Sequence, residues 1–180
     1  MRRGTLALGL ALLAIASGCG GGGQPDIDAA AEFDGFPIYW LTEEFEGHEL
    51  VRLDGYADGG VYALDYGTCD PPAFDGGCGS PLQLQIFPLC YQLAEVTRNP
   101  IWRRRTVRGA PVGHIDGAPV LFTRTMHVKV YRGQGSDRGM PMRALEILHS
   151  LNDVEPFIPA LGSIPPPPDG VLEGDVPCTG

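Results

Sequence analysis

The chain has 180 residues, with 22 acidic and 13 basic side chains and a formal charge of -9. An acidic balance of this size repels phosphate backbones, so nucleic acid is excluded as a partner, and the length allows one core but not two comfortable domains. Five cysteines, an odd number, leave one unpaired in any fully oxidised scheme.

Arg2 and Arg3 open the sequence, and an apolar run without a charge follows from Leu6 to Ala16. This is the layout of an export leader, too short to span a bilayer as a helix. Ala16-Ser17-Gly18-Cys19 resembles the bacterial lipobox, which implies a signal peptide over 1–18 and a diacylated Cys19 as the new first residue. Two acyl chains suffice to moor a protein on a membrane that it does not cross. Loss of Arg2 and Arg3 leaves 11 basic against 22 acidic residues, a formal charge of -11. Residues 19–35, rich in glycine at the start, are expected to be a flexible tether, and residues 36–180 a single domain.

With Cys19 lipidated, Cys69, Cys78, Cys90 and Cys178 remain and can pair in three ways. Cys69 and Cys78 share a short Pro/Gly-rich loop, so a local bridge closes most easily there and leaves Cys90 to Cys178. Their spacings match no paired C-x-x-C arrangement, so no metal centre is expected.

Phe36 to Leu41 favours a strand. Thr42 to Glu49 reads as a solvated acidic loop, its carboxylates lacking the alternation of a Ca²⁺ loop. Leu50 to Asp54 and Val61 to Gly67 alternate, the second with Tyr62, Leu64 and Tyr66 on one side, and Asp58-Gly59-Gly60 makes a turn between them. Leu82-Gln83-Leu84-Gln85-Ile86 is the clearest strand, with one face buried and the other wet or functional. Cys90 to Asn99 suits a short helix stopping at Pro100.

Trp102-Arg103-Arg104-Arg105 is the one concentrated positive stretch, a candidate contact for an acidic partner through forked donors and stacking. The plainer alternative is a strand edge whose arginines pair with the domain's own carboxylates. Thr106 to Val112, Ala118 to Thr123 and Arg124 to Arg132 continue the strand pattern. Met126, Val128 and Val130 should face the core and His127, Lys129 and Tyr131 the other side. Asp116-Gly117 predicts a hairpin pairing the strand around Val112 with the one around Leu121. After a glycine-rich loop, Pro141 starts a helix carrying Met142, Leu145, Leu148 and Leu151 on one face, with Asn152 ending it. The prolines from Pro156 to Pro168 then form a rigid strap leading to Cys178.

No Walker, dinucleotide, H-E-x-x-H or G-x-S-x-G pattern occurs, and no catalytic residue, metal ligand or cofactor is assigned. Ser136 beside Asp137 is the best nucleophile candidate, without a base nominated by sequence. His114 and His127 flank the predicted hairpin and would meet across it only if they share a face. Tyr39-Trp40-Leu41, Tyr66-Gly67-Thr68-Cys69, Pro81-Leu82-Gln83-Leu84-Gln85 and Val107-Arg108-Gly109-Ala110-Pro111 resemble segments of actinobacterial secreted or lipid-anchored proteins, which implies location and no activity.

The sequence thus predicts an α+β domain, a mainly antiparallel sheet with one packed C-terminal helix, two disulfides and a Pro-rich C-terminal strap. The expected role is that of an extracytoplasmic lipoprotein, anchored to the bacterial cell membrane through Cys19, that binds an envelope protein or polymer without catalysis. The alternative is an envelope hydrolase or metal-dependent enzyme using the His114/His127 region.

Overall fold

A computed structural model describes residues 25–56, 61–68, 79–91, 93–94, 105–152, 154 and 162–178. Among the described residues ten strands and two short helices are bounded: α1 (Ile27–Ala31), β1 (Tyr39–Trp40), β2 (Glu44–Phe45), β3 (His48–Tyr56), β4 (Val61–Tyr66), β5 (Leu82–Pro88), β6 (Thr106–Val107), β7 (Ala110–Ile115), β8 (Ala118–Phe122), β9 (Met126–Arg132), α2 (Met140–Glu146) and β10 (His149–Ser150). Eight strands form one antiparallel sheet in the order β2-β3-β4-β5-β9-β8-β7-β6, curled into half a barrel. β1 pairs with β10 in a separate two-stranded ribbon.

Three of the tight hairpins use the same chemistry. Glu46-Gly47, Arg108-Gly109 and Asp116-Gly117 all have both central residues at positive φ, the conformation whose twist matches that of antiparallel strands. The Asp116-Gly117 turn sets Val112 opposite Leu121 as its sequence predicts. The other two change the expected layout. Thr42 to Glu49 is a hairpin, with Phe45 opposite His48, rather than a loop. Thr106 to Val112 is split by the turn at Arg108 into β6 and the start of β7.

Register divides the sheet into two faces. On the core face Leu64, Leu84 and Val130 lie in one row, with Leu82, Ile86, Leu121 and Val128 around them, all fully buried. In β3 the pairing slips between Leu50 and Arg52, which places Leu50 opposite Tyr66 and Leu53 opposite Leu64. The extra residue resets the two-residue phase, so Leu50 and Leu53 share the core face that simple alternation would have divided. The Tyr66 hydroxyl accepts from the Leu41 N–H (2.9 Å) and donates to the Thr42 carbonyl (3.1 Å), which fixes the chain entering β2.

Both helices serve the core face. In α1 the Asp26 carboxylate caps the helix through the Ala29 N–H at 3.0 Å, and Ala30 is buried. Beyond it Phe33, Phe36 and Tyr62 pack edge to face, so the stretch expected as tether holds an ordered helical turn at its C-terminal end. α2 buries Met140, Pro141, Ala144 and Leu145, and Met140, Ala144 and Leu145 belong to the same cluster as Val128 and Val130. It ends at Glu146, well short of the expected Asn152. The chain turns there because His149 and Ser150 pair with Trp40 and Tyr39. Asn152 caps no helix. It is a buried tie whose side chain accepts from the Ile38 N–H (2.8 Å) and donates to the carbonyls of Phe33 (2.7 Å) and Phe36 (2.8 Å).

The proline strap runs from one face to the other. Ile164 donates its N–H to the Arg108 carbonyl and belongs to the main core. Val171 and Leu172 lie on the opposite face, with Ile115, Val120, Phe122, Leu89 and Leu93 in a second apolar cluster. Arg108 holds the crossing, donating to the carbonyls of Gly162 and Leu148 at 2.5 Å each. Cys178 ends the strap in a disulfide with Cys90.

Candidate functional site

The opposite face of the sheet carries a row of polar side chains. Asp65 of β4 lies beside Gln83 of β5, and Gln85 is the next residue but one along β5. Their bonds are mutual: Ser80 Oγ and Gln83 Nε2 both donate to Asp65 Oδ1 (2.6 and 2.7 Å), and Gln85 Nε2 donates to Gln83 Oε1 (2.7 Å). Arg52 closes one end through Asp54 and Asp65. At the other end Lys129, only 3 % exposed, reaches Asp116 at 3.3 Å and lies over the Tyr131 ring. The glutamines are thus half-buried and bonded to their neighbours, so of the two expectations for this face, wet or functional, the wet surface gives way to a bonded network.

His127 sits between that row and the strap cluster. Phe87 and Phe122 flank it, with Tyr91 stacked beyond Phe87. The residue is fully buried, and among the described residues neither ring nitrogen makes a hydrogen bond of full geometry, although the backbone of Leu89 and Pro88 lies near. Burial pushes its pKa down to about 4, the adjoining backbone of Leu89 and Pro88 offsetting only part of this and the Lys129 charge adding to it. His114 points the other way. It pairs with Pro119, whereas His127 pairs with Phe122, three residues along β8, so the two imidazoles lie on opposite faces of the sheet. The structure does not bring them together, and among the described residues no group of three or more His, Cys, Asp or Glu side chains could hold a metal. Ser136 is buried and its hydroxyl donates to the Gly133 carbonyl at 3.0 Å, which ties down the candidate nucleophile.

Of the arginine run only Arg105 is among the described residues. It is exposed and stands at the entry to β6, its carbonyl accepting from the Val112 N–H. Trp102, Arg103 and Arg104 lie outside the described residues, as do Cys19, Cys69 and Cys78. Cys90 and Cys178 form the expected bridge.

An open concavity with basic side chains on its walls lies elsewhere, between the β7–β8 hairpin and the start of α2. This cleft, of about 320 Å³, has His114, Arg132 and Arg138 on its walls, Asp116 and Tyr131 on its rim, and Pro119, Val130, Pro141 and Met142 as apolar lining. It was not legible in sequence because its basic side chains come from β7, β9 and the following loop. Arginines at both ends of the Gly133–Gly139 loop were the available signal. No family model, curated protein or solved structure matches the chain.

Proposed function

We propose that this chain is an extracytoplasmic lipoprotein, held on a bacterial cell membrane by an acylated Cys19, and that its domain works by binding an envelope protein or polymer rather than by catalysis. The observation that carries the location is the Cys90–Cys178 bridge, which joins residues 88 positions apart. Bridges of this kind persist in oxidising compartments, where the lipobox-like leader would deliver the chain. On the same argument Cys69 and Cys78 form a second, local bridge. Binding is supported by the side chains that sequence nominated for chemistry: Ser136 is bonded to a carbonyl, and His114 and His127 face away from each other.

The test of location is the intact mass of the protein extracted from membranes, with Cys19→Ala as control. A diacylated first residue and release of the variant into the soluble fraction are the expected results. An unmodified N-terminal segment on the extracted protein would refute the reading. For binding, Arg103→Glu combined with Arg105→Glu should weaken retention of envelope components on the immobilised protein while the fold survives. Unchanged retention removes the arginine run from the contact surface.

A further inference from the structure

A chain with 22 carboxylates and 13 cations can pair every arginine it has. Four of the seven described arginines nevertheless divide into two pairs. Arg52 and Arg143 meet carboxylates, whereas Arg132 and Arg138, which line one cleft, form no ion pair among the described residues. The carboxylates beside them are already engaged. Asp137 accepts from Arg143 and from the Gly139 N–H, and the Arg143 guanidinium holds its pKa down to about 2. Asp116 accepts from the buried Lys129. The rim carboxylate Asp116 is therefore paired with Lys129, Asp137 and Glu46 share Arg143, and Arg132 and Arg138 are the cleft's charges without an ion pair among the described residues.

One of those groups is held in place. Arg132 donates through Nη1 to the Ser136 carbonyl at 3.2 Å, and the Ser136 hydroxyl closes the same loop onto Gly133. This leaves the remaining Arg132 donors and the whole Arg138 fork for a ligand. A fixed guanidinium loses less freedom when it binds, and its planar fork matches carboxylate and phosphate oxygens. Met142, with the buried Pro119 and Pro141 behind it, supplies an apolar wall, and a volume of about 320 Å³ suits a body the size of one ring.

We infer that this cleft binds a small organic oxyanion, a carboxylate or phosphate group carried on a ring-sized body, with Arg138 and Arg132 holding the charge and His114 at the wall. The inference rests on the binding role proposed above and names its ligand chemistry. It does not depend on anchorage: a failed mass measurement would leave it standing, and a failed titration would leave the lipidation result intact.

The test is a titration of the isotope-labelled full chain, purified in mild detergent, with glucuronate, glucose 1-phosphate and glucose, followed by amide and arginine side-chain NMR signals. At least one of the two anions should shift signals from residues 131–138 saturably, while glucose leaves them unmoved. A response to glucuronate alone assigns the site to carboxylates, and one to glucose 1-phosphate alone to phosphates. Loss of one fork in Arg138→Gln should weaken binding about tenfold, whereas Arg124→Gln, which removes the same charge from an exposed turn outside the cleft, should not. Silence with both anions up to about 10 mM, an equal response to glucose, or equal effects of the two substitutions would overturn the inference.

Discussion

His127 gives the most direct test of the physical reasoning. Its ordinary pKa of 6.5 falls to about 4 in the fold, mainly because burial disfavours the charged ring. The unfolded chain therefore binds more protons than the native state between those values, and stability must rise with pH across that window. Above pH 6.5 both states hold the neutral ring and the penalty vanishes. As pH falls, the penalty accumulates until the native ring itself titrates near pH 4. At 1.36 kcal/mol per unit, the full loss is about 3 kcal/mol. His127→Phe keeps the stack with Phe87 and Phe122, removes two nitrogens that make no full hydrogen bond among the described residues and abolishes the titration. Urea midpoints followed by circular dichroism from pH 7.5 to pH 4 should fall more steeply in the parent than in the variant, and the difference should open below pH 6.5. At neutral pH the variant should match or exceed the parent, since each orphaned buried group costs about 1–3 kcal/mol. Asp137, whose pKa is held down to about 2, contributes equally to both curves. Parallel curves over the whole range would show that the ring is solvated or bonded in solution and would sink the argument.

Other substitutions follow from single contacts. Asn152→Ala strips three backbone groups of their partner, one buried and two part-buried, so chemical denaturation should show a loss of about 3 kcal/mol; a loss under about 1 kcal/mol would mean that water replaces the amide. Cys90→Ser with Cys178→Ser opens a closure spanning 88 positions, and loop entropy sets the expected loss at about 4 kcal/mol, measured against the oxidised parent. Gly133→Ala would place a methyl 1.9 Å from the Ser80 carbonyl oxygen, an overlap expected to cost about 3 kcal/mol and to lower the melting temperature; an unchanged melt would refute the close approach of the two backbones.

What the sequence showed well was local and periodic. The alternation in Leu82 to Ile86 and in Met126 to Val130 gave the correct buried faces, and Asp116-Gly117 gave the correct register, because a strand's two-residue period and a left-handed turn are properties of adjacent residues. Less was legible where a distant partner decides. Leu148 continues the helical spacing of Leu145, yet pairing of His149 with Trp40, remote in sequence, ends the helix first. The Arg108 turn was missed because a bulky residue at positive φ carries a weaker signal than Asn or Asp there. Alternation also cannot say whether the second face of a strand is wet. His127 and Lys129 read as outward and are outward with respect to the core, but the strap cluster and the polar row bury them. For the same reason the contiguous arginines drew notice from sequence, while Arg132 and Arg138 became a pair only once the β9 strand and its loop were in place.

The strap has a practical consequence for anyone making this protein. Its Val171 and Leu172 cover Ile115, Val120 and Phe122, and its far end is secured by one sulfur–sulfur bond. Expression in a reducing cytoplasm leaves that bond unmade and the tail free to lift, baring a greasy patch on an otherwise acidic surface, the kind of exposure that drives clumping. Yield of monodisperse material should therefore track the oxidant supplied during folding more closely than temperature or salt.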